Sequence, residues 1–598
     1  MQLSVCARIL FHKKEVLVVD KKTVSFMRSL CMGQIEEDVI LPFPSIPAAE
    51  KETLQGVVSS LEQLLRPHEA DFRHWDREGE FPAEFIEELK SAGLFSLVIP
   101  EEHGGLSFGS SAYSRALQQV AQYDASVAVT VGAHSSIGMR GLLLFGTDEQ
   151  KARYMPKLAT GEMIAAFCLT EPGAGSDAAS IKTSAVKDGD DWILNGNKLW
   201  ITNGGIADFF TVFAKTGDSG ERGKISAFLV TRDMPGVSNG PHEDKMGIRA
   251  SSTTTMHFEN VRVPNENLLG EAGKGFKIAM TILNSGRTGL GGGSVGGMKK
   301  LIALSAKQAK ERVQFGKPIS EFGLIKQKVG QMVVDCYATE AVVSMVAGLN
   351  DGGYEDYAVE AAISKVFASE ALGRTADEAL QIAGGNGYMC EYPYERVVRD
   401  SRINRIFEGT NDILRLFIAL NAMNDAGQNL RELAKSLEGV FTDPIKGFGV
   451  VSEYTLRRVS MATGYNRQGT TFTKLDANLK VVASVFESGT RDLASASDRI
   501  LRKHGRAIIE KQFATRRLAD IMIDLFVLAC VISRVDSTVR DRGADGAKKE
   551  LEIATVFARQ AERRIKTNVD EIDNNVDESI KSLADHTFEL EKFAWDTL

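Results

Sequence analysis

Ile406-Phe407-Glu408-Gly409-Thr410-Asn411-Asp412 sets one carboxylate between apolar neighbours and a glycine. A carboxylate held partly out of water keeps its proton more tightly, and so can accept one near neutral pH. Alone, Glu408 reads sooner as a solvated surface acid than as a base. Phe167-Cys168-Leu169-Thr170-Glu171-Pro172-Gly173-Ala174-Gly175-Ser176-Asp177 is a strand that runs into a glycine-rich loop. Such a loop lets main-chain N–H groups and side-chain hydroxyls come close to a bound group. Trp200-Ile201-Thr202-Asn203-Gly204-Gly205 offers a flat apolar face and one donor at a strand end, which suits a planar heterocycle. Taken singly, the loop is also an ordinary turn and the tryptophan an ordinary core residue. A fourth stretch, Gln381-Ile382-Ala383-Gly384-Gly385-Asn386-Gly387-Tyr388, is followed by Arg399-Asp400-Ser401-Arg402.

The elements that must hold these residues follow from pattern. The chain has 598 residues, 43% apolar, 25% charged and 8% aromatic, with net charge −8. That length predicts roughly two to four domains with ample core, and the charge excludes a general nucleic-acid binder. The cysteines Cys6, Cys31, Cys168, Cys336, Cys390 and Cys530 are scattered, with neither a C-x-x-C pair nor a histidine cluster, so no metal site and no disulfide framework is expected. No apolar run reaches the ~20 residues of a membrane span. The strongest candidate, 521–535, contains Asp524 and Arg534 and reads as a buried helix.

Apolar residues at helical spacing run over 84–92 and 111–121. Short β-prone runs bounded by Gly, Asn or Asp follow at 192–194, 198–201, 209–214, 225–230 and 254–258, with Asn195-Gly196 as a hairpin turn signal. Helical pattern resumes near Gly275 and again near Leu475. The predicted fold class is α+β and multi-domain. It has an N-terminal extension and candidate targeting segment (1–40), an N-terminal α-helical domain (41–166), a middle β domain, barrel or sandwich (167–274), and a four-helix-bundle domain (275–424). A linker (425–474) and a further C-terminal α-helical domain (475–598) complete it. The first 24 residues carry five lysines and arginines beside Glu15 and Asp20, a partial match to a transit peptide. Within the linker, 439–464 mixes apolar residues with Lys446, Arg457 and Arg458, the composition of a membrane-interface segment as much as of a helix lying on its own protein.

The four motifs, in this order and spacing, resemble the acyl-CoA dehydrogenase family, most like its very-long-chain branch and that branch's paralogue in respiratory complex I assembly. The resemblance spans 41–423, more loosely beyond. It implies FAD as cofactor, contacted by Phe167, Cys168, Leu169, Thr170, Gly175 and Ser176, with Trp200, Ile201 and Thr202 flanking the isoalloxazine. It implies that Arg312 and Phe315 reach the FAD of a neighbouring subunit, with Gln381 and Gly385 in a similar role, and that Thr410, Asn411 and Asp412 close over the adenine side. Long-chain acyl-CoA would meet Ser176, Asn284, Arg287, Phe407, Glu408 and Gly409, and Glu408 would be the catalytic base. Some relatives carry the base one residue before the arginine; here that residue is Gly286, so Glu408 has no rival there.

The same resemblance implies a homodimer, electron-transferring flavoprotein as partner, and the matrix face of the inner mitochondrial membrane. Two alternatives stand beside the dehydrogenase: an acyl-CoA oxidase that uses O2, and an assembly factor that works with respiratory complex I assembly proteins. Ala128, Gly132 and Ala133 predict either a deep acyl slot or close helix packing. The glycines of 289–297 predict either a locally irregular helix or main chain exposed to the acyl chain.

Overall fold

The computed structural model describes residues 25–217, 223–428 and 469–597. Helices Ala48–Leu65, Asp71–Glu78, Ala83–Ser91 and Ser110–Ala121 lead to Ala125–Gly132, which runs into a π-helical turn, Ala133–Gly138, and then Arg140–Phe145 and Asp148–Thr160. The last of these starts on a reciprocal cap: the Thr147 hydroxyl accepts from Gln150 N at 3.2 Å and the Gln150 amide oxygen accepts from Thr147 N at 3.0 Å.

The middle block is one mixed eight-stranded sheet: β1 (Ala165–Cys168), β2 (Ser184–Asp188), β3 (Asp191–Thr202), β4 (Phe209–Thr216), β5 (Lys224–Thr231), β6 (Val237–His242), β7 (Thr253–Val263) and β8 (Leu268–Leu269). Its order is β6-β7-β3-β2-β4-β5-β8, with β1 parallel to β4. The expected hairpin at Asn195-Gly196 is not there. β3 runs straight through it, paired to β2 on one side and β7 on the other, and the turn falls instead between Asp188 and Asp191. Gly196 marks a bulge: a Cβ there would lie 2.4 Å from the Thr183 hydroxyl oxygen, so the residue is fixed by close approach and not by turning.

Four helices, Gly275–Glu311, Gly323–Asp351, Ala358–Ala383 and Asn411–Ala422, form the bundle. Lys480–His504, Gln512–Gly546, Lys548–Glu571 and Asp577–Leu590 follow. Buried apolar residues fall into two cores. One joins the N-terminal helices, the sheet and the first turns of Gly275–Glu311; the other joins the bundle to the C-terminal helices. Phe26 also sits in this second core, its ring 6.3 Å from Phe486 and 6.1 Å from Phe526. Part of the expected extension 1–40 is therefore folded body, since burying such a ring contributes about 1.5–3 kcal/mol.

Ile521 and the residues after it are buried, as their pattern predicts. By length and hydropathy, Ala125–Phe145 and Gly323–Asp351 do pass for membrane spans, against the sequence expectation. Their most apolar windows are 61% and 72% buried inside the fold, so both serve as core helices here. The segments 1–24 and 439–464, with their targeting and membrane readings, lie outside the described residues.

Helix Gly275–Glu311 packs on the sheet, on Ser110–Ala121 and on two bundle helices. Glycines let it do so. A Cβ at Gly296 would lie 2.2 Å from the Gln118 carbonyl oxygen, and one at Gly292 would lie 2.7 Å from the Ser114 carbonyl oxygen. The neighbour at Gly293 is 3.9 Å away, ordinary contact. Gly296→Ala should therefore cost about 1–3 kcal/mol through overpacking. Gly293→Ala should be neutral or stabilising by up to ~1 kcal/mol, because glycine is a poor helix former. Urea unfolding of the two variants checks this contrast.

Candidate active site

Glu408 sits between a short 3₁₀ turn, Ile403–Arg405, and helix Asn411–Ala422. It and Gly409 are consecutive left-handed residues, with φ of 59° and 88°. A non-glycine residue in that region carries a cost of about 1–3 kcal/mol, so the surroundings must hold it there. Thr410 caps the next helix, its hydroxyl accepting from Ile413 N at 3.2 Å. The turn presents the side chain inward, where Glu408 Oε2 is shut off from solvent with no hydrogen-bond partner among the described residues. Burial pushes its carboxyl up to about 7, against the opposing fields of Arg287 and Lys365. Gly286 faces it: a Cβ there would lie 2.7 Å from Glu408 Oε2 and 2.8 Å from the Ile137 Cγ2 methyl. Glycine at 286 does more than omit a rival base; it makes the room that Glu408 fills.

Glu408, Phe407 and Thr202 open into one cavity of about 840 Å³. One wall is the glycine face of Gly275–Glu311, namely Gly286, Gly289, Gly293 and Gly297. That helix is continuous, so the local irregularity expected as one alternative for 289–297 is absent there, and Gly289, Gly293 and Gly297 face the cavity. The facing wall holds Ala128, Gly132, Ala133 and Ser136. A Cβ at Gly132 would meet nothing within 4 Å, whereas one at Gly138 would strike Ala133 and Ala165. The small residues of this helix thus serve the cavity at one end and packing at the other. The π turn between them carries Ser136 and Ile137 to the cavity.

The sheet supplies the opposite side. The register shift between Lys198 and Ile201 turns Trp200 outward, at φ 56° and 62% exposed. Asn203, also left-handed and buried, donates to the carbonyls of Thr130 (3.0 Å) and Ala165 (3.3 Å) and ties the end of β3 to the cavity helix. In the glycine-rich loop, Glu171 is a staple. Its carboxylate pairs with the buried Lys198 at 2.8 Å and accepts from Thr183 N at 3.0 Å, while Lys198 also donates to the Leu169 carbonyl at 3.1 Å. Gly173 and Gly175 are open, with nothing within 4 Å of an added Cβ.

The remaining expected residues are placed as follows. Cys168, Leu169 and Ile201 are buried and can offer only main chain; Phe167 is half-buried, its ring 5.0 Å from Phe213. Thr170 accepts from Leu199 N at 2.9 Å, and Ser176 is exposed beyond it. Arg287 is buried with one guanidinium nitrogen bonded to Asn284 at 2.9 Å and its Nε unpartnered among the described residues. Gln381 and Gly385 lie exposed at the end of Ala358–Ala383. Arg312 and Phe315 form an exposed hairpin at the end of the central helix, Phe315 being 93% exposed. Asn411 turns inward, with Lys365 donating to it at 2.8 Å, and Asp412 faces out. Lys365, Glu171, Lys198 and Asn203 were not singled out from sequence. A lysine in an apolar helix run is the one signal that pointed to any of them.

Comparison with known proteins identifies the family. Family models described as acyl-CoA dehydrogenase, N-terminal domain, middle domain and C-terminal domain match residues 48–162, 166–261 and 273–423. A human protein named very long-chain specific acyl-CoA dehydrogenase, mitochondrial, is 42% identical over 554 residues, covering 91% of this chain and 83% of that protein. The chain belongs to the acyl-CoA dehydrogenase family. A fourth model, ACAD9/ACADV, C-terminal domain, matches residues 477–593. A Bacillus subtilis protein named probable acyl-CoA dehydrogenase is 36% identical, over 86% of this chain and 84% of its own. Among solved structures, an acyl-CoA dehydrogenase complexed with FAD from Bacillus anthracis superposes with TM-score 0.76 at 32% identity, covering 95% of each chain. Butyryl-CoA dehydrogenase from Megasphaera elsdenii gives 0.61 at 38% identity, covering 64% of this chain and 99% of its own.

An acyl-CoA dehydrogenase that buries its carboxyl must lose stability for it. The folded-state pKa of Glu408, about 7, lies above the ordinary 4.5. Between those values the folded chain holds a proton that the unfolded chain has released. Stability from this group is thus whole below pH 4.5 and is lost as pH rises to 7. Glu408→Gln should resist urea better than the wild type at pH 8, by about 1–3 kcal/mol, and no better at pH 4.

Proposed function

We propose that the protein oxidises long- or very-long-chain acyl-CoA to trans-2-enoyl-CoA with FAD, as the first step of mitochondrial fatty-acid β-oxidation. Electrons pass to electron-transferring flavoprotein. The observation that carries this reading is Glu408: a carboxyl with an unpartnered, solvent-free oxygen at the head of a long cavity with a glycine wall.

The residues present fit the cofactor. Trp200 lies bare beside Thr202, which opens into the cavity of Glu408. The open main chain at Gly173 and Gly175 leads to the Ser176 hydroxyl, a set of donors for a pyrophosphate. By the family resemblance, main chain of Cys168, Leu169 and Ile201, with Phe167, Thr170, Thr410 and Asp412, would complete the set. FAD, when bound, accepts the hydride that leaves the substrate Cβ. Glu408 takes the α-proton, and the electron pair of that C–H bond becomes the new double bond. The Glu408 main-chain N–H, aimed by the left-handed turn, polarises the thioester carbonyl as the proton leaves. Arg287 and Asn284 line the approach. Walls of Gly, Ala, Ile137 and Phe407 keep water from the carboxyl.

Substrate length follows from the glycine wall. On a straight helix of ~1.5 Å rise per residue, Gly293 lies about 10 Å and Leu304 about 27 Å beyond Gly286. At roughly 1.3 Å per methylene of an extended chain, that is room for on the order of twenty carbons. Gly293→Leu should cut kcat/KM for palmitoyl-CoA tenfold or more and leave octanoyl-CoA within about twofold, because each methylene kept from burial forfeits ~0.8 kcal/mol.

The exposed Phe315 hairpin supports a homodimer in which Arg312 and Phe315 reach the partner subunit's cofactor. The names of the relatives, which read mitochondrial, support a mitochondrial location, and within it we place the chain at the matrix face of the inner membrane. Light scattering should give a mass near two chains; four would remove the dimer. The deciding experiment is anaerobic titration with palmitoyl-CoA. The flavin band of the wild type should bleach, and that of FAD-loaded Glu408→Gln should not. A wild type that holds FAD and bleaches with no acyl-CoA overturns the reading.

A further inference from the structure

Lys365 has no solvent exposure, yet it lies in the middle of the apolar helix Ala358–Ala383. A buried ammonium persists only where acceptors surround it. Its Nζ donates to the Gly409 carbonyl at 2.7 Å and to Asn411 Oδ1 at 2.8 Å. Gly409 is the second left-handed residue of the turn that carries the base. The acceptor side chain is itself held: Asn411 Nδ2 donates to Ser369 Oγ and to Glu370 Oε1, each at 3.0 Å. Glu370 accepts both ends of the Arg415 guanidinium, at 2.7 and 3.1 Å. Arg415 Nε donates to Asp520 at 2.7 Å, and Asp520 belongs to helix Gln512–Gly546 of the C-terminal domain. A chain of charge-assisted bonds therefore runs from the appended domain to the base turn.

We propose that Lys365 is a positioning residue of this active site. Its ammonium pins the Gly409 carbonyl and so holds Glu408, and the C-terminal domain keeps Lys365's acceptor in place through Asp520, Arg415, Glu370 and Asn411. This rests on the acyl-CoA reading of Glu408. Two consequences separate positioning from mere packing. Without the bond, the turn is free to leave its left-handed geometry, so the chemical step slows while substrate binding in the cavity does not. Without the charge, Glu408 keeps only Arg287 as a cation, and its proton is held more tightly. Burial pushes the Lys365 ammonium down to about 7, the range in which Glu408 itself titrates; Glu408, Glu370 and Asp412, from the base turn, its own helix and the next, favour its charge and Arg287 of the central helix opposes it.

The test is stopped-flow flavin reduction by palmitoyl-CoA across pH 5–9 in the FAD-loaded full chain. In Lys365→Met the limiting rate should fall tenfold or more with little change in the substrate concentration that half-saturates it. The acid limb of its pH profile should move up by about one unit. Lys365→Arg, which keeps the charge, should hold the limb at its wild-type place. A Lys365→Met holoenzyme with wild-type rate and limb overturns the proposal. If Lys365→Met yields no holoenzyme, Asp520→Asn decides. A several-fold lower limiting rate at unchanged half-saturation upholds the relay, and a wild-type rate overturns it. In all arms a wild type that does bleach shows that the acyl-CoA reading stands whatever Lys365 does.

Discussion

A carboxyl whose buried oxygen, Glu408 Oε2, has no hydrogen-bond partner among the described residues governs this molecule. Burial alone would make Glu408 inert as a base, since a fully desolvated carboxylate holds its proton far above neutrality. Two cations, Arg287 and Lys365, pull back against that, and the balance settles near 7. Reaching the balance takes parts from across the fold. Arg287 comes from the helix that starts after the sheet, Lys365 from the third bundle helix, Gly286 from the wall, and Ile137 from a π turn in the N-terminal helices. Each element is placed by its own core, but their meeting point is the carboxyl.

The central helix is where these demands collide. Glycines on one side let Ser114, Gln118 and Val343 approach to within a main-chain contact. Glycines on the other side face the cavity. Each lowers intrinsic helix stability by about 1 kcal/mol relative to alanine, so the helix depends on its burial between sheet and bundle to stay regular. Both cores touch it, one at Ile278, Ala279 and Ile282 and the other at Val295, Met298 and Leu301. It is thus the shaft that keeps the two cores in register.

Much of this was legible in the residue pattern, for physical reasons. The order of helical, β and helical blocks follows from period, whereas Glu408 and Arg287 stand out only through the joint resemblance of four motifs, since the neighbours of Glu408 alone also suit a surface acid. The Asn195-Gly196 turn was misplaced because a glycine demanded by close packing looks, in one dimension, like a glycine demanded by a turn. Asp188-Gly189-Asp190 turns the chain, with Gly189 at φ 63°, seven residues before Gly196. Lys365 stands out in sequence only as a lysine in an apolar helix run, and its acceptors, Gly409 and Asn411, are more than forty residues away, so the pattern does not show what it holds. The Ala133–Gly138 π turn was hidden too, since one extra residue in a helix leaves the apolar pattern almost unchanged.

The glycine wall of the cavity has a thermodynamic corollary. Main chain has no rotamers, so a hydrocarbon laid along Gly286, Gly289, Gly293 and Gly297 freezes no side-chain motion on that side. At those four positions, among the side chains of Leu290, Ser294 and Leu304, it meets a surface that cannot swing to fill a gap behind a short ligand. A slot of this kind does not adapt its shape to its guest; an under-length chain leaves emptiness at the far end and forfeits contact in proportion. Discrimination among chain lengths then becomes a graded function of how far the guest reaches, like a ruler and unlike a gate.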